Sequence, residues 1–226
     1  MNAKSCWAAS ASLSVACLFA ATVLGEQPPA KPTEEALRKD YEKFMHSLDF
    51  KRVVKDYPKA IDNLNSTDLH KQITGLATLG ATREPEAILW MVPFLDDADP
   101  GARLFAARYV QELITGICVQ RRDPTRPDCL LPVGPNELDL RPLAWVAERM
   151  LKQPDDNGNT PVYAATLIRF LVLKSFESDL RAMLQSRHPA VQHNANWALE
   201  ELGFRVANPV LNRPPFRGKP SGDGRR

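Results

Sequence analysis

Pro100-Gly-Ala-Arg-Leu-Phe-Ala-Ala-Arg-Tyr-Val-Gln-Glu-Leu-Ile114 aligns without a gap on Pro189-Ala-Val-Gln-His-Asn-Ala-Asn-Trp-Ala-Leu-Glu-Glu-Leu-Gly203. Ala106 falls on Ala195, Val110 on Leu199 and Leu113 on Leu202, so both copies carry small or aliphatic residues at the spacing of one helix face. Asp99 before Pro100 reads as an N-cap followed by proline at the first helical position. The run Leu76-Ala-Thr-Leu-Gly80 repeats the end of the same pattern. A further helix is expected ahead of each full copy, over 85–96 and 177–186. A third pair is expected between them, over 139–153 and 160–176, with Thr160 and Pro161 in the cap and first positions. Self-similar helix pairs are the mark of an α-solenoid.

Outward from this core the spacing stays helical. Leu37, Tyr41, Phe44, Met45 and Leu48 share one face, with Thr33 as N-cap and Glu34 and Glu35 in the first turn, where the helix dipole favours acids. A short helix from Lys51 should restart at Pro58. Another should run from about Asp68, with Leu69, Ile73, Leu76 and Leu79 inward and Gly80 as its stop. No alternating apolar–polar stretch of useful length occurs. The expected fold is all-α, with about three to four helix pairs over 33–204.

The segment from Leu79-Gly80 through Pro85, and then Phe94-Leu-Asp-Asp-Ala-Asp-Pro-Gly-Ala-Arg-Leu-Phe-Ala106, resembles a HEAT-like repeat of the short kind also found in bilin lyases. In that family an Asp at the inter-helix turn and an Arg six residues later form a ladder between neighbouring repeats, and Asp97 and Arg103 have that spacing. The family's proline in the first helix is displaced here to Pro93, which should kink or shorten that helix. The resemblance implies that the ladder is degraded in the last repeat to Ser186 and Gln192. It covers 69–114 and 177–203, and the middle pair matches only by periodicity.

Composition agrees with a folded chain: 226 residues, 44% hydrophobic and 25% charged, with 19 prolines outnumbering 11 glycines. The net charge of +2 makes no general electrostatic case for nucleic acid. Residues 1–25 read as a signal peptide: Lys4 is the n-region charge, Cys6 to Leu24 is uncharged, and Val23 and Gly25 suit cleavage before Glu26. The expected destination is periplasmic or extracellular. An uncleaved membrane anchor, or lipidation at Cys17, are the alternatives. A linker over 26–32 would lead into the helical domain. In an exported chain Cys118 and Cys129 are expected to pair as a disulfide, with two buried thiols as the alternative.

Two features interrupt the repeats. An insertion is expected over 115–136, with four prolines, both of these cysteines, and Arg121, Arg122 and Arg126. Residues 205–226 read as a disordered tail rich in proline, glycine and arginine, with six Lys and Arg against Asp223. Lys4 is the only charge in 1–25, so the tail's +5 leaves −4 for residues 26–204.

Reaction chemistry is sparse. There is no Gly-x-Ser-x-Gly, no phosphate-binding glycine loop, no Cys-x-x-Cys-His and no His-Glu-x-x-His. His46, His70, His188 and His193 are not at metal-ligand spacing. Asp96, Asp97 and Asp99 gather at a turn, where ladder and capping roles account for two of them. No metal or cofactor is expected. Trp90, Trp145 and Trp197 fall once in each helix pair and read as core, or as a binding anchor where one reaches a groove. Asn65-Ser-Thr67 is a glycosylation acceptor in a host that glycosylates its exports.

The expectation is an exported, non-enzymatic interaction module that binds a protein partner along its second helices. Its candidate contacts are Arg103, Arg108, Gln111 and Glu112, matched by Gln192, Asn196 and Glu200, with Arg121, Arg122 and Arg126 alongside. One rival is a bilin-lyase-like enzyme or accessory factor with a small ligand in the groove. Another is a surface-associated module whose basic tail binds anionic polymer or membrane.

Overall fold

The structure is a computed structural model that describes residues 29–121, 138–153 and 158–206. Every regular element among the described residues is helical. Helix α1 (Glu34–His46) starts at Thr33, whose hydroxyl accepts from the Ala36 N–H at 3.3 Å. It buries Leu37, Tyr41, Phe44 and Met45, with Leu48 just beyond. Helix α2 (Phe50–Asp56) gives way to α3 (Pro58–Leu64), restarting at the expected proline. Helix α4 (Leu69–Gly80) follows, its cap Asp68 accepting from the His70 N–H at 2.8 Å.

The next first-position helix is broken, as Pro93 requires. It passes from a 3-10 turn at Pro85–Ala87 through α5 (Ile88–Met91) into a second 3-10 segment, Val92–Asp96. Helix α6 spans Pro100–Arg121. The expected insertion therefore begins at least seven residues late, because Ile114, Ile117 and Cys118 continue the buried stripe and keep the chain helical. Cys129, Arg122 and Arg126 lie outside the described residues, and so does the expected disulfide. The tail beyond 206 and the signal segment lie outside them too.

After a 3-10 turn at Arg141–Leu143 come α7 (Ala144–Lys152) and α8 (Asn159–Phe170). Helix α8 begins after Gly158 (φ 75°) and ends six residues before the expected Phe176. Thr160 is buried within its first turn and is not the cap. The early end is a Schellman closure: the Leu173 N–H reaches back to the Ile168 carbonyl at 3.0 Å, with Val172 at φ 48°. A 3-10 turn at Lys174–Phe176 opens α9 (Glu177–Met183), and α10 (Pro189–Glu201) closes the same way at Gly203 (φ 87°).

The packing follows one order. Helix α3 lies on α4, the 85–96 segment on α6, α7 on α8 and α9 on α10. The second members also pack in sequence, α4 on α6, α6 on α8 and α8 on α10. Two glycines allow close approach. A Cβ on Gly75 would lie 2.8 Å from the Ala60 carbonyl oxygen, and one on Gly80 would lie 3.1 Å from Tyr109 backbone and side-chain atoms. Helix α1 leaves the order and packs on α7 and the turn before it. Lys31, just ahead of α1, bridges buried Glu148 at 2.5 Å and Asp179 at 2.9 Å, and lies over the Phe176 ring.

The starts of α4, α6 and α10 share one bonding scheme. Ser66, Asp97 and Ser186 each accept, through a side-chain oxygen, the N–H two residues on, at 3.1, 2.8 and 3.1 Å. Six residues on, Gln72, Arg103 and Gln192 each donate to the carbonyl of that same first residue, at 2.8, 2.7 and 2.6 Å. This revises the reading of the Asp97–Arg103 ladder. Arg103 bonds the backbone of its own turn, at Asp97 and Ala98, and not the Asp97 carboxylate. A glutamine reaches the same carbonyl, so Ser186 and Gln192 keep this bond and are not a degraded pair.

Candidate interaction surface

One side of α6, α8 and α10 is left uncovered by their paired helices. On α6 it carries Phe105, Arg108, Tyr109 and Glu112, at steps of three and four. Phe105 and Tyr109 stack at 6.2 Å, and the Arg108 guanidinium sits 5.4 Å from the Tyr109 ring. Arg108 is bonded to Glu112 at 2.9 Å. That hydrogen bond, then the Glu112 charge, raises its pKa above the ordinary arginine value, with the Tyr109 and Tyr163 hydroxyls adding smaller contributions.

Between α8 and α10 the geometry is tighter. The Arg169 guanidinium lies 3.6 Å from the Trp197 ring centroid and 4.7 Å from that of Phe170, and reaches Glu201 at 3.4 Å. Its side chain is only 11% exposed, while Trp197 is 44% exposed with the His193 ring 6.5 Å away. A guanidinium held between two rings, beside an open indole, has the residue types that dominate binding energy at protein interfaces.

The structure divides the expected contact residues. Arg108 and Glu112 lie on this side, and Gln111 is turned toward Thr115, donating to its hydroxyl at 3.1 Å. Arg103 and Gln192 belong to the helix starts described above. Asn196 was expected outside the core and is 3% exposed; its amide donates to exposed Glu200 at 3.0 Å. The outward position is Trp197, which the two aligned copies already set opposite Arg108. Arg169 and Phe170 were not expected, because the middle pair matched only by periodicity and gave no register.

The other tryptophans differ. Trp145 is buried, stacked on Tyr41 at 4.6 Å with Arg149 over its ring, and burial pushes the Tyr41 hydroxyl well above its usual range. Trp90 is half-buried. A cleft of about 430 Å³ opens elsewhere, between the 96–103 turn and the end of α7, lined by Asp96, Asp97, Arg103, Arg149, Lys152 and Gln153. Its polar groups are already engaged: Arg149 pairs with Asp96, Lys152 with Glu34 and Glu148, Arg103 bonds the Asp97 and Ala98 carbonyls, the Asp97 carboxylate accepts from the Asp99 N–H, and Gln153 bonds the Leu95 carbonyl. Among the described residues no cluster of three His, Cys, Asp or Glu side chains is arranged to hold a metal.

Comparison with protein-family models, curated proteins and solved structures finds no match for this chain.

Proposed function

We propose that this chain is an exported, HEAT-like α-solenoid that binds a protein partner across α6, α8 and α10, with Trp197 as the anchor. The observation that carries the reading is the Arg169–Trp197 contact, in which a nearly buried guanidinium holds an exposed indole in place. A rigid aromatic fixed before binding gives up little conformational entropy on docking. The solenoid reading is supported by the order in which α4, α6, α8 and α10 pack and by the recurrent bonding at three helix starts. Export rests on the sequence of residues 1–25.

The test is mild cross-linking in the native exported fraction, followed by mapping of the cross-linked peptides. Partner peptides joined to α6, α8 and α10 are the expected result. Cross-links confined to α5, α7 and α9, or capture of a small molecule with no protein, would overturn the reading.

A further inference from the structure

The junction between the last two helix pairs is held from both faces. On the inner face α8 packs directly on α10, where Arg169 of α8 reaches the Trp197 ring at 3.6 Å and Glu201 at 3.4 Å. On the outer face α7 and α9 do not pack closely on one another. Lys31, from the segment ahead of α1, joins them instead. Its ammonium pairs with Glu148 of α7 at 2.5 Å and with Asp179 of α9 at 2.9 Å. It also stands 4.4 Å from the ring centroid of buried Phe176, in the turn that opens α9. The Glu148 side chain is 9% exposed and that of Lys31 24%, so water screens this bridge only in part.

We propose that Lys31 is a positioning residue for the Trp197 surface. By tying α7 to α9 it fixes the angle between the two pairs, and so the distance at which Arg169 covers the indole. In a solenoid each pair touches only its neighbours, so the angle at a junction is decided by the contacts made there. Releasing the outer tie lets the two pairs pivot about the α8–α10 contact. The attraction of a guanidinium for a ring is confined to about 6 Å, so a small rotation weakens the hold on Trp197. The segment before α1 thereby controls the binding side from the other face of the fold. The inference deepens the reading of Trp197 as an anchor and rests on it for its consequence in binding, while its test needs no partner.

The experiment is acrylamide quenching of Trp197 fluorescence in the purified chain, isolated by subtracting the signal of the matching Trp197→Phe chain. Trp197 is 44% exposed, so Lys31→Met should raise its quenching constant about 1.5–2-fold, toward the value for Arg169→Met, in which the cover is removed directly. Lys31→Arg should stay at the wild-type value, since a guanidinium can bridge the same two carboxylates. The deciding variant is Lys31→Met with Glu148→Gln, which leaves no uncompensated carboxylate buried and regains most of the lost stability. Its quenching should stay raised, because α7 and α9 are still untied. Quenching at the wild-type value in that folded double variant would show that Lys31 serves stability alone and would overturn the proposal. A Lys31→Arg chain quenched as strongly as Lys31→Met would overturn it too. Failure of Trp197→Ala to weaken partner binding would remove the anchor reading and leave this result standing.

Discussion

Gln192 donates its side-chain amide to the carbonyl of Ser186 at 2.6 Å, the bond that Arg103 makes to Asp97 at 2.7 Å and Gln72 to Ser66 at 2.8 Å. What the position needs is a donor of sufficient reach, and charge is secondary. Arg103→Gln should therefore leave stability within about 0.5 kcal/mol, while Arg103→Leu should cost about 1 kcal/mol by leaving the carbonyl without that donor. Urea midpoints at constant m decide it; equal losses in the two variants would show that the guanidinium charge matters instead.

Val172 holds φ 48° at the close of α8, where α10 uses Gly203. A β-branched residue in the left-handed region costs about 1–2 kcal/mol. Val172→Gly should raise stability by up to about 1 kcal/mol, and Gly203→Val should lower it by a comparable amount or more. The melting temperatures of the two variants should move in opposite directions.

Gly75 and Gly116 make a contrasting pair. A methyl at 75 would meet the Ala60 carbonyl oxygen at 2.8 Å and Leu64 side-chain atoms at 3.0 Å, forcing α3 and α4 apart. Gly75→Ala should cost about 1–3 kcal/mol. At 116 the nearest atom is on the flexible Arg83 side chain, 3.5 Å away. Gly116→Ala should be neutral or stabilise by about 0.5–1 kcal/mol through helix propensity. Denaturant titration of both variants tests this.

Lys31 ties the segment before α1 to buried Glu148 and to Asp179. Lys31→Met should destabilise by about 1–3 kcal/mol, because Glu148 keeps only Lys152, at 3.1 Å. Adding Glu148→Gln should restore most of the loss, since no uncompensated carboxylate then stays buried. A double-mutant cycle that proves additive would contradict this role for Lys31.

The helices and their apolar faces were legible because each depends on local spacing: Leu37 to Leu48, Leu76 and Leu79, and the two aligned copies all read as they pack. The end of α8 was hidden because it rests on a valine in a conformation normally left to glycine. The start of α1 was clear, but its place against α7 was not, since that contact is set by Lys31 and Trp145 far along the chain. Of the binding side, Arg108 and Glu112 were visible from the repeat. Asn196 was misplaced by one position from Trp197, about 100° around the helix, because it aligns on buried Ala107 while Trp197 aligns on exposed Arg108. Arg169 escaped because its importance comes from two rings on different helices.

The central claim is tested most directly by the affinity of the co-isolated partner for Trp197→Ala. Loss of the anchor should weaken binding by about thirtyfold or more, while the chain stays cooperatively folded with a modest fall in melting temperature, since the indole is 44% exposed and gives up only its covered part and the Arg169 contact. Unchanged affinity in a folded Trp197→Ala chain would contradict the account.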